Sequence, residues 1–244
     1  MSIIISDEKQ TEASRNFMSR QLIRNTMSAR QVTPGRHFQA LASRLLSLRS
    51  DSNEHKTIGI ASCSHGEGTS TVASNVAVAI NDAISGEVLL VDCVEPSQTL
   101  SKTKTNPGWI DFVFRDADLL DVVYPTDVPR LNVIGSGLPL ERGAGTYCRE
   151  QLLNAVQLLK ERFEFVIFDL PCGDEMTGCI PIASVLDGVL LNVKAGRISS
   201  SKAGRLQREL QVHNANVLGV VLNQTHSYVP GFLKSLIGME STPK

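Results

Sequence analysis

The chain has 244 residues, of which 42% are hydrophobic and 20% are charged, a composition typical of a globular protein with one sizeable core. A formal net charge of −1 gives no general attraction for nucleic acid, so we expect no nucleic-acid partner. No apolar run is long enough to predict a membrane-spanning helix, and the first residues lack the pattern of a secretory signal. Five scattered cysteines suggest neither a disulfide framework nor a metal motif. The expected location is therefore the cytoplasm.

The N-terminal part of the chain differs from the rest, because residues 1–50 hold eight Lys/Arg and only three Asp/Glu. Residues 1–35 show no sustained periodicity, and we expect a flexible basic segment, with a membrane-surface or partner-binding helix as the alternative. The next segment predicts one amphipathic helix that packs on the domain or on a neighbour, since four apolar residues recur at helical spacing: Phe38, Leu41, Leu45 and Leu48. The predicted domain spans residues 36–236, and residues 237–244 are expected to form a flexible tail.

From about residue 57 onward, short apolar runs rich in Val and Ile alternate with helix-length segments. Continuously apolar runs are typical of strands covered on both faces in a parallel sheet. The alternation predicts an α/β fold, a doubly wound and mainly parallel sheet with helices on both faces, whose ligand lies at the carboxyl ends of the strands. The predicted strands are Thr57–Ser62, Glu87–Val91, Leu131–Ile134, Phe165–Phe168, Gly188–Val193 and Val217–Leu222. The predicted helices are Ser70–Ala83, Glu150–Arg162 and Ser200–His213.

A glycine-containing loop follows the first predicted strand and precedes a helix. In such a loop, backbone N–H groups and the helix dipole converge on an anion, and a hydroxyl at the helix start can hold Mg²⁺. The phosphate-loop (P-loop) pattern is G-x-x-x-x-G-K-[ST]. Here the glycine before the lysine position (Gly68) and the hydroxyls after it (Ser70 and Thr71) are present, whereas the lysine position is Thr69. The expected phosphate-binding residues are His65, Gly66, Glu67, Gly68, Thr69, Ser70 and Thr71.

The missing lysine has a chemical consequence. A lysine ammonium neutralises charge on the terminal phosphates, and each charge-assisted hydrogen bond contributes roughly 1.5–3 kcal/mol. Binding through the backbone is expected to survive with Thr69, whereas efficient phosphoryl transfer is not. A protonated His65 beside the phosphate would replace part of the lost charge.

Four motifs in order, HGEGTST, VLLVDC, FVIFDLP and GVVLN, resemble the cytoplasmic domain of the bacterial tyrosine kinases (BY-kinases) of capsule and exopolysaccharide synthesis. These kinases are part of a wider class of P-loop ATPases that includes MinD and ParA. The resemblance covers about residues 36–228 and includes the segments NPGWIDFVF and VIGSGLPLE.

The resemblance implies specific roles for four residues. Ser70, Asp92 and Asp169 would be the Mg²⁺ ligands beside ATP or ADP, with the two carboxylates at strand ends also serving as catalytic groups. Asn223 would contact the adenine, although a turn residue is the alternative interpretation. The three cysteines that follow motif strands, Cys63, Cys93 and Cys172, are interpreted as small buried hydrophobes, with a redox or metal role as the alternative.

The departures from the family pattern concern catalysis. Val94 replaces the second Asp of the D-x-D motif, and Pro96 replaces the arginine that follows it. Gly178 replaces an Asp that the family usually has nine residues after the Walker B aspartate, here Asp169. The N-terminal oligomerisation motif is largely lost, and there is no tyrosine-rich tail. Whether the chain is an enzyme stays open.

The resulting hypothesis is a catalytically impaired BY-kinase-like protein with a regulatory or scaffolding role in polysaccharide synthesis and export. Its implied partner is a membrane-embedded polysaccharide co-polymerase, which would hold it at the inner face of the membrane, and homo-oligomers are possible within this family. The alternatives are an active ATP-dependent tyrosine kinase and a ParA/MinD-like positioning ATPase. The last requires a dimer-bridging lysine, and Ser64 holds its place.

Overall fold

The computed structural model describes residues 34–48, 56–94, 106–139, 147–196 and 199–224. The predicted flexible segments at the two ends lie outside these ranges, except for Pro34 and Gly35. The predicted domain limits at residues 36 and 236 therefore stay predictions. None of the helices in the described ranges is both long and apolar enough to span a bilayer.

A seven-stranded sheet forms the centre of the domain, with the strand order β3-β4-β2-β5-β1-β6-β7. Every neighbouring pair is parallel except β3 and β4, which are antiparallel. The strands are β1 (Thr57–Ser62), β2 (Val88–Asp92), β3 (Val123–Pro125), β4 (Leu131–Ile134), β5 (Phe165–Asp169), β6 (Gly188–Lys194) and β7 (Val217–Asn223). The predicted doubly wound, mainly parallel α/β fold is confirmed.

The helices connect these strands across the two faces of the sheet. They are α1 (Arg36–Ser47), α2 (Thr69–Ala83), α3 (Trp109–Phe114), α4 (Leu119–Val122), α5 (Arg149–Arg162), α6 (Met176–Ala183) and α7 (Ser200–Val212). A short 3₁₀ turn, Gly173–Glu175, follows β5. Helices α1 and α2 pack on one face, in a core cluster with Ile58 and Ile60 of β1. Helices α5 and α7 pack on the other face with Ala61. Helix α7 and helix α1 are therefore on opposite sides of the sheet.

The predicted amphipathic helix near the N-terminus is confirmed as α1. Its residues Ala42 and Leu45 are buried against the core that α2 also covers. Leu48, the last of the four apolar residues, is 43% exposed and does not pack fully against the domain. The contact with α2 places α1 on the helix that follows the phosphate loop.

A short segment beyond β2 is held by a buried carboxylate. Asp111 of α3 is 4% exposed and accepts hydrogen bonds from the backbone N–H groups of Gly108 (2.9 Å) and Leu138 (3.0 Å) and from Arg115 (2.7 Å). Trp109 packs edge-on against Phe168 of β5, with ring centroids 5.6 Å apart. These contacts fix α3 beside the carboxyl end of the sheet.

Candidate functional site

The predicted phosphate loop occupies residues 63–68 between β1 and α2. Gly66 and Gly68 have positive φ angles of 77° and 82°, a region that residues with a Cβ rarely adopt. At Gly68 a Cβ would also lie 2.7 Å from the Asn223 amide nitrogen. The glycines therefore permit the tight turn that directs the loop into the N-terminus of α2.

Glu67 anchors the loop from the inside. Its side chain is fully buried, and its carboxylate accepts hydrogen bonds from the N–H groups of Ser64 (2.7 Å) and Lys194 (3.3 Å). Its carbonyl oxygen accepts from the amides of Asn192 (3.0 Å) and Asn223 (2.9 Å). The loop is thus attached to the carboxyl ends of β6 and β7 before any ligand arrives, which is the preorganisation that an anion site requires.

The backbone of the loop remains available to an anion. Among the described residues, no hydrogen bond of the turns and loops has the N–H of Gly66, Gly68 or Thr69 as its donor. The 15-residue helix α2 begins at Thr69 and adds the positive end of its dipole. Thr69 supplies one neutral hydroxyl at the position of the missing lysine.

The three predicted Mg²⁺ ligands come together next to this loop. Asp92 of β2 and Asp169 of β5 are paired in register at the carboxyl ends of neighbouring strands. The Ser70 hydroxyl, in the first turn of α2, donates a hydrogen bond to the Asp169 carboxylate. The second oxygen of Asp169, Oδ1, is buried and has no hydrogen-bond partner among the described residues.

Both carboxylates of this pair hold their protons more tightly than usual. Burial raises the pKa of Asp169 to about 7, the Asp92 charge adds to that rise, and the Ser70 hydrogen bond opposes it. Burial likewise raises the pKa of Asp92 to about 6, against a hydrogen bond from the Val94 N–H. A divalent cation would favour the charged form of both groups.

These residues fit a Mg²⁺ ion beside a phosphate chain. The donors are one hydroxyl and two carboxylates, the oxygen ligands that Mg²⁺ prefers, and the orphaned Oδ1 atom of Asp169 lacks the partner that a cation would provide. Within the described ranges, no cluster of three or more His, Cys, Asp and Glu is placed to hold a metal by itself. A cation here would therefore depend on phosphate and water for its remaining ligands.

Two further predicted ligand residues lie at the loop. The Asn223 amide donates a hydrogen bond to the Glu67 carbonyl, so in this structure Asn223 supports the loop. His65 is exposed, and its charge helps to lower the pKa of Asp174, after the larger effects of hydrogen bonds from Lys202 and Ser64. An adenine contact for Asn223 stays a prediction.

Sequence reasoning missed a polar triad at the mouth of the loop. The Ser64 hydroxyl donates to Asp174 Oδ2 (3.0 Å), and the Lys202 ammonium contacts both Asp174 (3.1 Å) and the Ser64 hydroxyl. Lys202 belongs to α7, far along the chain from the loop. Asn192 was also missed, although a single Asn within the apolar run GVLLNV was a usable signal.

The three cysteines near the site are buried. Burial raises the pKa of the thiols of Cys63 and Cys93, which opposes thiolate formation. Cys172 is 6% exposed. Their environments are typical of cysteine packed as a small apolar side chain.

Similar sequences are found among bacterial tyrosine-protein kinases, while no family model matches the chain. Tyrosine-protein kinase CpsD of Streptococcus agalactiae is 27% identical over 197 residues, which cover 79% of this chain and 84% of CpsD. The succinoglycan biosynthesis transport protein ExoP of Rhizobium meliloti is 26% identical over 180 residues, covering 71% of this chain and 23% of ExoP.

Similar solved structures share the fold. The kinase domain of the Escherichia coli tyrosine kinase ETK has a TM-score of 0.67 and 17% identity, with 80% of this chain and 78% of that domain covered. The septum site-determining protein MinD of Pyrococcus horikoshii, solved with Mg-ADP, has a TM-score of 0.56 and 19% identity, with 75% and 76% covered.

The fold is that of the MinD-like P-loop ATPases. In sequence the chain is similar to bacterial tyrosine-protein kinases and in fold to their kinase domains, which confirms the resemblance seen in the sequence.

Proposed function

We propose that this protein is a regulatory or scaffolding relative of the BY-kinases, impaired in phosphoryl transfer, that acts in polysaccharide synthesis and export. The observation that carries the proposal is that one part of the candidate site is kept while another part is lost. The loop, its anchors and the acidic pair are kept, whereas Thr69 stands where a P-loop requires lysine.

The distinction between binding and transfer follows from charge. Open N–H groups, a helix N-terminus and two carboxylates with Ser70 suit ATP or ADP with Mg²⁺ as ligands. Transfer of a phosphoryl group needs additional charge stabilisation where the group moves, and Thr69 supplies no charge there. A protein of this kind would respond to nucleotide without phosphorylating tyrosine efficiently.

A membrane-embedded polysaccharide co-polymerase is the proposed partner. The support is the relationship to kinases of capsule and exopolysaccharide synthesis, together with the match to about a quarter of a transport protein, ExoP. The chain would act in the cytoplasm at the inner face of the membrane, alone or as a homo-oligomer. Nucleotide would alter the assembly only if its affinity differs between the bound and free states of the protein.

The test is removal of the gene from its host, followed by measurement of the amount and chain length of the exported polysaccharide and of phosphotyrosine on the co-polymerase. A scaffolding role predicts altered polysaccharide with unchanged phosphotyrosine, and loss of the chain from the membrane fraction when the co-polymerase is removed. Unaltered polysaccharide would contradict the proposal.

An active tyrosine kinase is the second candidate. It is favoured by the group of Ser70, Asp92 and Asp169, which is the proposed Mg²⁺ site. In the same experiment, a kinase predicts that phosphotyrosine falls when the gene is removed.

A further inference from the structure

A cationic cavity opens beside the phosphate loop, between the loop, the 3₁₀ turn after β5, and α7. Its volume is about 610 Å³, large enough for a ligand of nucleotide or polyphosphate size. The lining contains one lysine and two arginines against a single acidic residue, Asp174. The side chains that matter here are Cys63, Asp174, Lys202, Arg205 and Arg208.

The basic residues share one face of α7. Lys202, Arg205 and Arg208 are three residues apart in sequence, a spacing that places side chains on the same side of a helix. Leu206 and Leu210 of the same helix are buried in the core and hold α7 against the sheet, and Leu206 also lines the cavity. The position of the cationic row is thus fixed by packing.

The two arginines are not engaged elsewhere in the part of the chain that the structure describes. Both side chains are exposed, and neither makes a hydrogen bond or an ion pair with a described residue. Exposed arginines on a wall of a cavity, with their guanidinium groups unpaired, are suited to bind phosphate oxygens in a fork.

Lys202 connects this cavity with the loop itself. Its ammonium contacts the hydroxyl of Ser64, a loop residue, and pairs with Asp174 at 3.1 Å. The Lys202 and Asp174 side chains are 42% and 52% exposed, so their pairing is weak and is easily exchanged for another anion. Asp174 therefore positions the ammonium at the mouth of the loop and still leaves it able to bind another anion.

We propose that Lys202, with Arg205 and Arg208, forms the cationic wall of a polyphosphate site that includes the loop, so that α7 supplies the positive charge that Thr69 does not. The ligand class is a chain of at least two phosphates, either inorganic or attached to a nucleoside. The inference rests on the proposed function, in which this loop binds nucleotide, and deepens it by naming the residues that supply positive charge to the phosphates. Binding and transfer also remain separate, since Lys202 lies at the mouth of the loop and not at its lysine position.

The experiment is a calorimetric titration of the full chain with ATP, ADP, pyrophosphate and inorganic tripolyphosphate, with and without Mg²⁺. We expect Lys202→Met to weaken tripolyphosphate binding by about tenfold or more, as expected for one charge-assisted hydrogen bond. Asp174→Asn should tighten binding severalfold by releasing the ammonium. Arg208→Ala should weaken it, whereas the matched control Arg44→Ala, on α1 at the other face of the sheet, should leave it unchanged.

A rescue variant separates the proposal from a general loss of stability. Thr69→Lys should restore the affinity that Lys202→Met removes, and all variants should unfold cooperatively near the wild-type temperature. Equal affinity of wild type and Lys202→Met would overturn the proposal. So would the absence of any polyphosphate binding, or binding of ATP with no binding of tripolyphosphate. These outcomes leave the polysaccharide and phosphotyrosine test of the scaffolding role untouched.

Discussion

Asp92 and Asp169 are paired in register at the ends of two neighbouring parallel strands, and both carboxyl groups have raised pKa values, about 6 and about 7. Burial is the main cause in each case. The pair is therefore an unfavourable arrangement when both groups are ionised and no cation is present. The stability of the protein should therefore depend on pH, and a divalent cation bound to both carboxylates would offset their repulsion.

Replacing Asp169 should remove much of this pH dependence. Because the folded-state pKa values lie above the unfolded ones, the folded state binds more protons between about pH 4 and pH 7, and the free energy of unfolding falls as pH rises through that window. We expect Asp169→Asn to be more stable than wild type at pH 8, by up to about 3 kcal/mol, and to show a flatter profile. Urea unfolding at pH 4.5, 6 and 8 measures both quantities.

The matched control for that experiment is Asp82→Asn, an exposed aspartate on α2. Its profile should follow that of wild type. If Asp169→Asn loses stability on alkalinisation as steeply as wild type does, the carboxylate pair is not the origin of the effect.

Mg²⁺ should stabilise the protein more at high pH than at low pH. The cation competes with protons for Asp92 and Asp169, so its affinity rises as these groups ionise between about pH 6 and pH 7. Thermal unfolding with MgCl₂, against NaCl of the same ionic strength, should show a larger increase in melting temperature at pH 8 than at pH 5.5. An equal increase in Asp169→Asn would show that Mg²⁺ binds elsewhere.

The two asparagines on the Glu67 carbonyl should act together. Asn192 and Asn223 donate to the same oxygen, so either one alone can satisfy it. We expect Asn223→Ala to cost about 1 kcal/mol of unfolding free energy, and the double replacement to cost roughly 1 kcal/mol more than the sum of the singles, because only then does the carbonyl lose both donors. A double-mutant cycle by urea unfolding measures this coupling, and strictly additive costs would contradict it.

Two glycine replacements should have opposite effects. At Gly108, an added Cβ would lie 2.2 Å from the Gly135 carbonyl oxygen and 2.5 Å from the Gly137 nitrogen, both backbone atoms that cannot rotate away. Gly108→Ala should therefore destabilise the fold by about 3 kcal/mol. Gly204 in α7 has nothing within 4 Å of its Cβ position, so Gly204→Ala should stabilise it by about 0.5–1 kcal/mol. Thermal and urea unfolding of both variants check the pair, and equal effects would contradict the packing at Gly108.

Restoring the P-loop lysine should strengthen nucleotide binding. We expect Thr69→Lys to raise the affinity for Mg-ATP by about tenfold or more, as an ammonium inside the loop contributes a charge-assisted hydrogen bond. Asn75→Lys, which adds the same charge further along α2, is the control. If calorimetry shows the same increase in Mg-ATP affinity for both variants, the effect comes from net charge and not from a lysine inside the loop.

The fold was predictable because its strands are continuously apolar. All six predicted strands are present with ends within one residue, since buried parallel strands carry their signal in every residue. The short elements β3, α3 and α4 were not predicted. They have three to six residues each and depend on distant contacts, such as the Tyr124 hydroxyl donating to the Pro107 carbonyl.

The candidate site was predictable only where strand ends define it. Asp92 and Asp169 follow apolar runs, and parallel strands end on one edge, so their proximity follows from the fold class. Lys202 could not be found this way, because 138 residues separate it from Ser64. The amphipathic pattern of α7 also does not show whether a lysine on its polar face contacts the loop or only solvent. The inward orientation of Glu67 likewise depends on N–H groups of Ser64 and Lys194 that only the folded sheet brings together.

Transfer of label from γ-labelled Mg-ATP to tyrosine is the most direct test of the central claim, that phosphoryl transfer is impaired while the site is retained. The purified chain is incubated alone and with the cytoplasmic part of the proposed co-polymerase partner, beside Asp169→Asn. The account predicts that wild type transfers no more label than Asp169→Asn. Phosphotyrosine formed by wild type and abolished in Asp169→Asn would contradict it and establish a tyrosine kinase that works without the P-loop lysine.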